Sequence, residues 1–127
     1  MRIKLTSVFV DDQDKALRFY TEVLGFQKKQ DFPVGNFKWL TVVSPEDPDG
    51  VQLLLEPDEN PATQAFKTAL FAQGTPMATF FVDDIRKEAE HMKQLGVVFT
   101  MEPTQIGPTT VAIFDDTCGN LIQLTQV

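Results

Sequence analysis

The chain carries one short text twice. Ser7-Val8-Phe9-Val10-Asp11-Asp12 returns as Thr79-Phe80-Phe81-Val82-Asp83-Asp84, and each copy leads into a helical pattern that stops at Leu-Gly. The offset is 72 residues from Val10 to Val82 and 71 from Gly25 to Gly96, so the register holds to one residue. A period of this length restricts the fold to one supersecondary unit used twice, with candidate chemistry expected where the two copies meet.

Local patterns fill in the unit. Residues 3–10 alternate with β-branched and aromatic side chains and read as a strand. Asp12 is placed to cap a helix whose Ala16, Phe19, Tyr20, Val23 and Leu24 form one apolar stripe, and Gly25 supplies a left-handed stop. Strands follow at 26–32, 37–44 and 51–56, separated by turn clusters at 33–36 and 45–50. Asn60-Pro61 opens a helix over 62–72 that packs through Phe66, Ala69 and Leu70, and Gly74-Thr75-Pro76 breaks it. The second copy reads as strand 77–82, an Asp84-capped helix over 84–95 with Ile85, Ala89 and Met92 inward, and strand 97–101. Residues 102–108 form a loop, and strands 109–115 and 121–126 flank a turn at 116–120. Each half is β-α-β-β-β, an α+β chain of one domain over 2–126: a first module of about 2–57, a connecting segment 58–75 and a second module of about 76–126.

Composition narrows the class. At 127 residues the chain can bury a core without staples, and its single cysteine, Cys118, excludes an internal disulfide and fits a reducing cytoplasm. No apolar run approaches the ~20 residues of a membrane span, and Met1-Arg2-Ile3-Lys4 enters a strand directly, so no leader is expected. A net charge of −7 disfavours nucleic acid and anionic membranes as partners.

Two βαβββ units, Val-x-Asp at each first strand end, Phe19-Tyr20 in the first helix, Leu-Gly after it, and the terminal run Asp116-Thr117-Cys118-Gly119-Asn120-Leu121-Ile122-Gln123-Leu124 together resemble the vicinal oxygen chelate superfamily. That group includes glyoxalase I, extradiol dioxygenases, fosfomycin-resistance enzymes and bleomycin-resistance proteins. The resemblance covers residues 2–126 and implies a cupped mixed sheet, a homodimer and, in many members, a divalent metal held by His and Glu from the first and fourth strands. A fold shared by so many chemistries does not choose among them.

Carrying the family's ligand positions onto this chain gives Leu5 and Met77 from the first strands, five residues before each valine of Val-x-Asp. Gln123 follows four residues after Gly119, and aligning the Leu-Leu-Glu-Pro end of the fourth strand gives Leu53. Leucine has no donor atom, the Met77 thioether is soft, and a lone neutral Gln123 is a weak ligand, so no metal and no cofactor is expected. Glu56 would fall on the opposite face from Leu53 and Leu55, and a one-residue shift would turn it inward. His91, the single histidine, lies on a helix away from the concave face.

Strand alternation from Leu5 places Leu5, Ser7, Phe9, Leu53, Leu55, Met77, Thr79, Phe81, Leu121, Gln123 and Thr125 in the cup, with Trp39 and Thr41, or else Lys38 and Leu40, from the third strand. Such a surface either fills as core or forms a mainly apolar pocket oriented by Gln123, Ser7 and Thr79. Cys118 reads as an exposed turn residue whose acidic neighbours Asp115 and Asp116 would raise its thiol pKa, an argument against a nucleophile. No catalytic residue is assigned. The reading is a metal-free, bleomycin-resistance-like protein that takes a small apolar or aromatic molecule. The alternatives are a divalent-metal glyoxalase-like lyase or dioxygenase, and a non-catalytic interaction protein with a filled cup.

Overall fold

The computed structural model describes residues 1–127. The chain divides into two compact units, Met1–Gln64 and Ala65–Val127.

The first unit contains β1 (Leu5–Val10), α1 (Gln13–Arg18), β2 (Gln27–Val34), β3 (Phe37–Val43) and β4 (Gln52–Pro57), with the strands ordered β1-β4-β3-β2 in one sheet. β1 pairs with β4 in parallel and the other ladders are antiparallel. α1 begins where the Asp12 carboxylate accepts from Lys15 N at 3.0 Å. Gln13 ties the start of α1 to the sheet, donating to the carbonyls of Lys38 (2.8 Å) and Leu55 (2.9 Å) and accepting from Lys38 N. Val8, Val10, Leu40, Val42 and Leu55 are buried on the helix side, as are Ala16 and Tyr20, while Thr41 and Leu54 are buried on the other face of the sheet.

Beyond Arg18 the helix loosens into one turn of π-helix, Phe19–Val23. Thr21 Oγ1 donates to the Leu17 carbonyl at 2.6 Å, and Leu24 N reaches back five residues to Phe19 O. A π-turn absorbs one extra residue inside a helix. The copy of this helix in the second unit contains no such turn, which accounts for the change of repeat offset from 72 to 71 between strand end and glycine.

The second unit contains most of α2 (Pro61–Gln73), then β5 (Ala78–Phe81), α3 (Ile85–Gln94), β6 (Phe99–Ile106), β7 (Thr109–Asp115) and β8 (Leu121–Gln126), with strand order β5-β8-β7-β6. The Asp84 carboxylate caps α3 by accepting from Lys87 N, and Ile85, Ala89 and Met92 turn inward. Ala112, Phe114, Ile122 and Leu124 are buried in the same unit.

Three elements depart from the sequence reading. Residues 102–106, expected as a loop, continue β6. The register slips between Met101 and Thr104, so Pro103 sits at an irregularity on an edge strand, where its missing N–H breaks no ladder bond. Pro33 is accommodated likewise in the edge strand β2, which runs to Val34 rather than ending before the proline.

The third departure concerns α2. Phe66 and Ala69 are exposed, and the residue that turns inward is Lys67, only 4% exposed. Its ammonium donates to the carbonyl of Cys118 at 2.7 Å, so a polar anchor rather than an apolar stripe sets the roll of this helix.

Candidate functional site

Partners in a β-ladder carry their side chains on the same face, so the registers define the open face of each unit. In the first unit Leu5 pairs with Gln52, Ser7 with Leu54 and Phe9 with Glu56, and Thr41 pairs with Leu54. The face that carries Leu5, Ser7 and Phe9 therefore carries Gln52, Leu54, Glu56, Trp39 and Thr41. This decides between the two third-strand alternatives in favour of Trp39 and Thr41.

It also corrects β4. Leu53 and Leu55 pair with Thr6 and Val8 and turn to the helix side, where Leu55 is fully buried. The Glu-Pro alignment that selected Leu53 is off by one. The glycine spacing is the better guide, because Gly50 to Leu54 matches Gly119 to Gln123, and Leu54 and Gln123 pair with the repeat-related Ser7 and Thr79. Glu56 accordingly stands on the open face, beside Phe9.

Polar groups on this face are joined to one another. Trp39 Nε1 donates to Gln30 Oε1 at 2.9 Å, Thr41 Oγ1 donates to Gln52 Oε1 at 2.7 Å, and Gln30 N donates to Thr41 Oγ1 at 3.1 Å. The Trp39 ring stacks on Phe32, with centroids 6.3 Å apart and an interplanar angle of 20°. Phe32 is 47% exposed, so one side of a flat aromatic platform meets solvent.

In the second unit Thr79 pairs with Gln123 and Phe81 with Thr125, while Ile113 pairs with Gln123 and Met101 with Ile113. Thr79, Phe81, Met101, Val111, Ile113, Gln123 and Thr125 thus share one face. Met77 N donates to the Leu121 carbonyl and leads into this edge. Thr79 and Phe81 are exposed, and Gln123 is half-buried. Gln123 Nε2 donates to Thr125 Oγ1 at 3.0 Å, and the hydroxyls of Thr125 and Thr79 lie 2.8 Å apart.

Metal-binding capacity follows from these side chains. With the corrected register, the first- and fourth-strand positions carry Leu5, Leu54, Met77 and Gln123, of which only the Gln123 carbonyl is an ordinary ligand for a hard or borderline ion. No three His, Cys, Asp or Glu side chains converge in the chain. His91 is exposed on α3.

Cys118 is not the exposed turn residue expected from its neighbours. It is fully buried, because the Asp116 carboxylate folds the turn around itself, accepting from Cys118 N (2.8 Å), Asn120 N (3.0 Å) and Asn120 Nδ2 (2.9 Å). An aspartate organising its own turn is visible in sequence as Asp-x-x-Gly-Asn, but Lys67, 51 residues from Cys118 and anchoring the same turn, has no local signal.

The model of the glyoxalase/bleomycin resistance protein/dioxygenase superfamily matches residues 2–124. The chain belongs to that superfamily. It is 56% identical over 126 residues to YurT of Bacillus subtilis (strain 168), covering 99% of each chain. The solved structure of UcmS2 superposes with a TM-score of 0.85 at 33% identity, covering 100% of this chain and 98% of that one. TnmS3, described as an antibiotic binding protein from Streptomyces sp. CB03234, superposes with a TM-score of 0.78 at 27% identity, covering 99% and 95%. The superfamily fold of paired βαβββ units is thus shown for this chain. No helix is long and apolar enough to cross a membrane.

Proposed function

We propose that this superfamily member binds a small, mainly apolar or aromatic molecule against the open faces of its sheets, without a divalent metal. The observation that carries the reading is the pair of first- and fourth-strand positions in each unit, where Leu5, Leu54, Met77 and Gln123 stand in place of imidazoles and carboxylates. A divalent ion held by protein alone needs three or four converging N, O or S donors. The exposed Phe32 stacked on half-buried Trp39 and the apolar residues around Gln123 suit a ligand with a flat, greasy body and few polar groups. Similarity to an antibiotic binding protein supports the same direction. The reading includes a cytoplasmic homodimer, to be checked by light scattering of the purified protein.

Trp39 is the only tryptophan, so its fluorescence reports on the first unit's open face. Titration with bleomycin, daunorubicin and 2-naphthol should give saturable quenching by at least one compound, unchanged by EDTA. Near-stoichiometric nickel, zinc, iron or manganese surviving dialysis would overturn the proposal.

One observation favours a second reading. Glu56 faces the same side as Phe9, so a carboxylate is present on the open face, and a metal-dependent lyase or dioxygenase would recruit it. Retention of metal in the wild type, abolished by Glu56→Gln, would establish that alternative.

A further inference from the structure

The two open faces share a backbone pattern but not a chemistry. Under the repeat, Ser7, Leu54 and Glu56 of the first unit correspond to Thr79, Gln123 and Thr125 of the second. Only the second unit builds a neutral polar chain there, from Gln123 Nε2 to Thr125 Oγ1 at 3.0 Å and on to Thr79 Oγ1 at 2.8 Å. These three side chains offer four N–H or O–H protons, and the two internal bonds consume two of them. One amide proton, one hydroxyl proton and the Gln123 carbonyl remain for an outside partner, and no charge accompanies them. The ladder neighbours on that face are apolar: Phe81 and Val111 beside Thr125, and Ile113 beside Gln123 with Met101 on its far side.

We propose that Gln123 and Thr79 read a neutral carboxamide or lactam group on the ligand, whose adjacent N–H and C=O match the acceptor and donors left over on this face. This inference rests on the apolar-ligand reading above and adds the polar group by which that ligand is selected. A ketone would engage only the donors, and a hydrocarbon would leave the Gln123 amide facing an apolar group, which a binding site penalises. The internal bond to Thr125 holds the Gln123 amide in one orientation before any ligand arrives, which limits the ordering entropy lost on binding.

The test uses three compounds of nearly one shape: 2-naphthamide, 2-acetylnaphthalene and 2-isopropylnaphthalene. Binding is followed by chemical-shift perturbation of the Thr79, Phe81, Gln123 and Thr125 amides. Wild-type protein should prefer the amide over the ketone by about tenfold, and over the hydrocarbon by more. Gln123→Met should abolish that preference while changing affinity for the hydrocarbon less than about twofold. Thr79→Val, which tests the relay from its other end and serves if the first variant does not fold, should reduce the preference by about threefold or more. Equal binding of the three compounds by wild type, or a loss common to all three in both variants, would overturn the inference and leave the apolar-ligand reading standing. Binding of none of the three would remove both.

Discussion

The Lys67 ammonium donates to the Cys118 carbonyl at 2.7 Å, and the same lysine end lies where a side chain on Gly119 would go. A Cβ added at Gly119 would meet Lys67 Nζ at 2.9 Å and Cε at 3.0 Å, and the residue already sits at φ +93°. Lys67→Met keeps the aliphatic stem but removes the charged donor, and it should cost about 2 kcal/mol in urea unfolding. Gly119→Ala should cost about 1–2 kcal/mol from the left-handed backbone alone, with more from displacing the lysine. The two effects share a contact, so the double variant should be less destabilised than their sum by about 0.5–1 kcal/mol. Strict additivity in the double-mutant cycle would show that the contact carries no energy.

Burial of Cys118 makes its thiol a reporter on the same turn. Labelling by an aromatic disulfide in native buffer should be slower than in denaturing urea by at least on the order of a hundredfold, because the sulfur is reached only when the turn opens. Lys67→Met should speed the native reaction, while a substitution of the exposed Lys87 should leave it unchanged. Complete labelling within seconds in buffer would contradict the burial.

The Asp14–Lys38 pair joins α1 to β3 at 2.8 Å, and both side chains are exposed. The hydrogen bond and charge of Lys38 hold the Asp14 carboxyl below its ordinary 3.8, and the Asp14 carboxylate raises Lys38 above its ordinary 10.5. A lowered acid stabilises above its unfolded pKa and loses the contribution as pH falls through the folded value. A raised lysine stabilises below 10.5 and loses its contribution as pH rises past the folded value. The melting difference between wild type and Asp14→Asn should therefore be small and flat across neutral pH, and should vanish at both extremes. It should also shrink with added salt, since solvent screens an exposed pair. A difference that grows below the carboxylate range would have the wrong sign.

How much of this was legible in the sequence depends on whether a feature is local. The caps at Asp12 and Asp84, the Leu-Gly stops, the inward Ile85, Ala89 and Met92, and the side chains of the second open face all follow from short-range periodicity. The face of β4 did not, because Val51 to Leu55 is apolar at four of five positions and gives alternation nothing to grip. Only its ladder to β1 decides that Leu54, not Leu53, accompanies Ser7. Lys67 escaped for the opposite reason. A lysine in an amphipathic pattern reads as solvated, and its partner carbonyl lies 51 residues away. The far end of β6 reads as loop in sequence because it contains Pro103, although an edge strand tolerates proline.

The π-turn in the first helix provides a direct test of the repeat itself. From Asp12 to Gly25 the chain uses one residue more than from Asp84 to Gly96, and that residue is accommodated between Phe19 and Val23, where Leu24 N bonds to Phe19 O. Since α3 connects the corresponding strands without the extra residue, deleting Thr21 should convert the segment to ordinary α-helix rather than unfold it. Thr21 is the residue to remove, because Phe19 and Tyr20 are buried in the core and Thr21 only returns its hydroxyl to the Leu17 carbonyl. Because the π-turn absorbs the extra residue, its removal leaves Val23 and Leu24 near their present faces, and only packing within the turn itself is lost. The cost should nonetheless stay below the roughly 4 kcal/mol expected for truncating the buried aromatic in Tyr20→Ala. Urea unfolding of the two variants side by side gives the ranking. If the Thr21 deletion abolishes cooperative unfolding while Tyr20→Ala keeps it, the extra residue is a requirement of the first unit's packing and not a removable insertion in a duplicated helix.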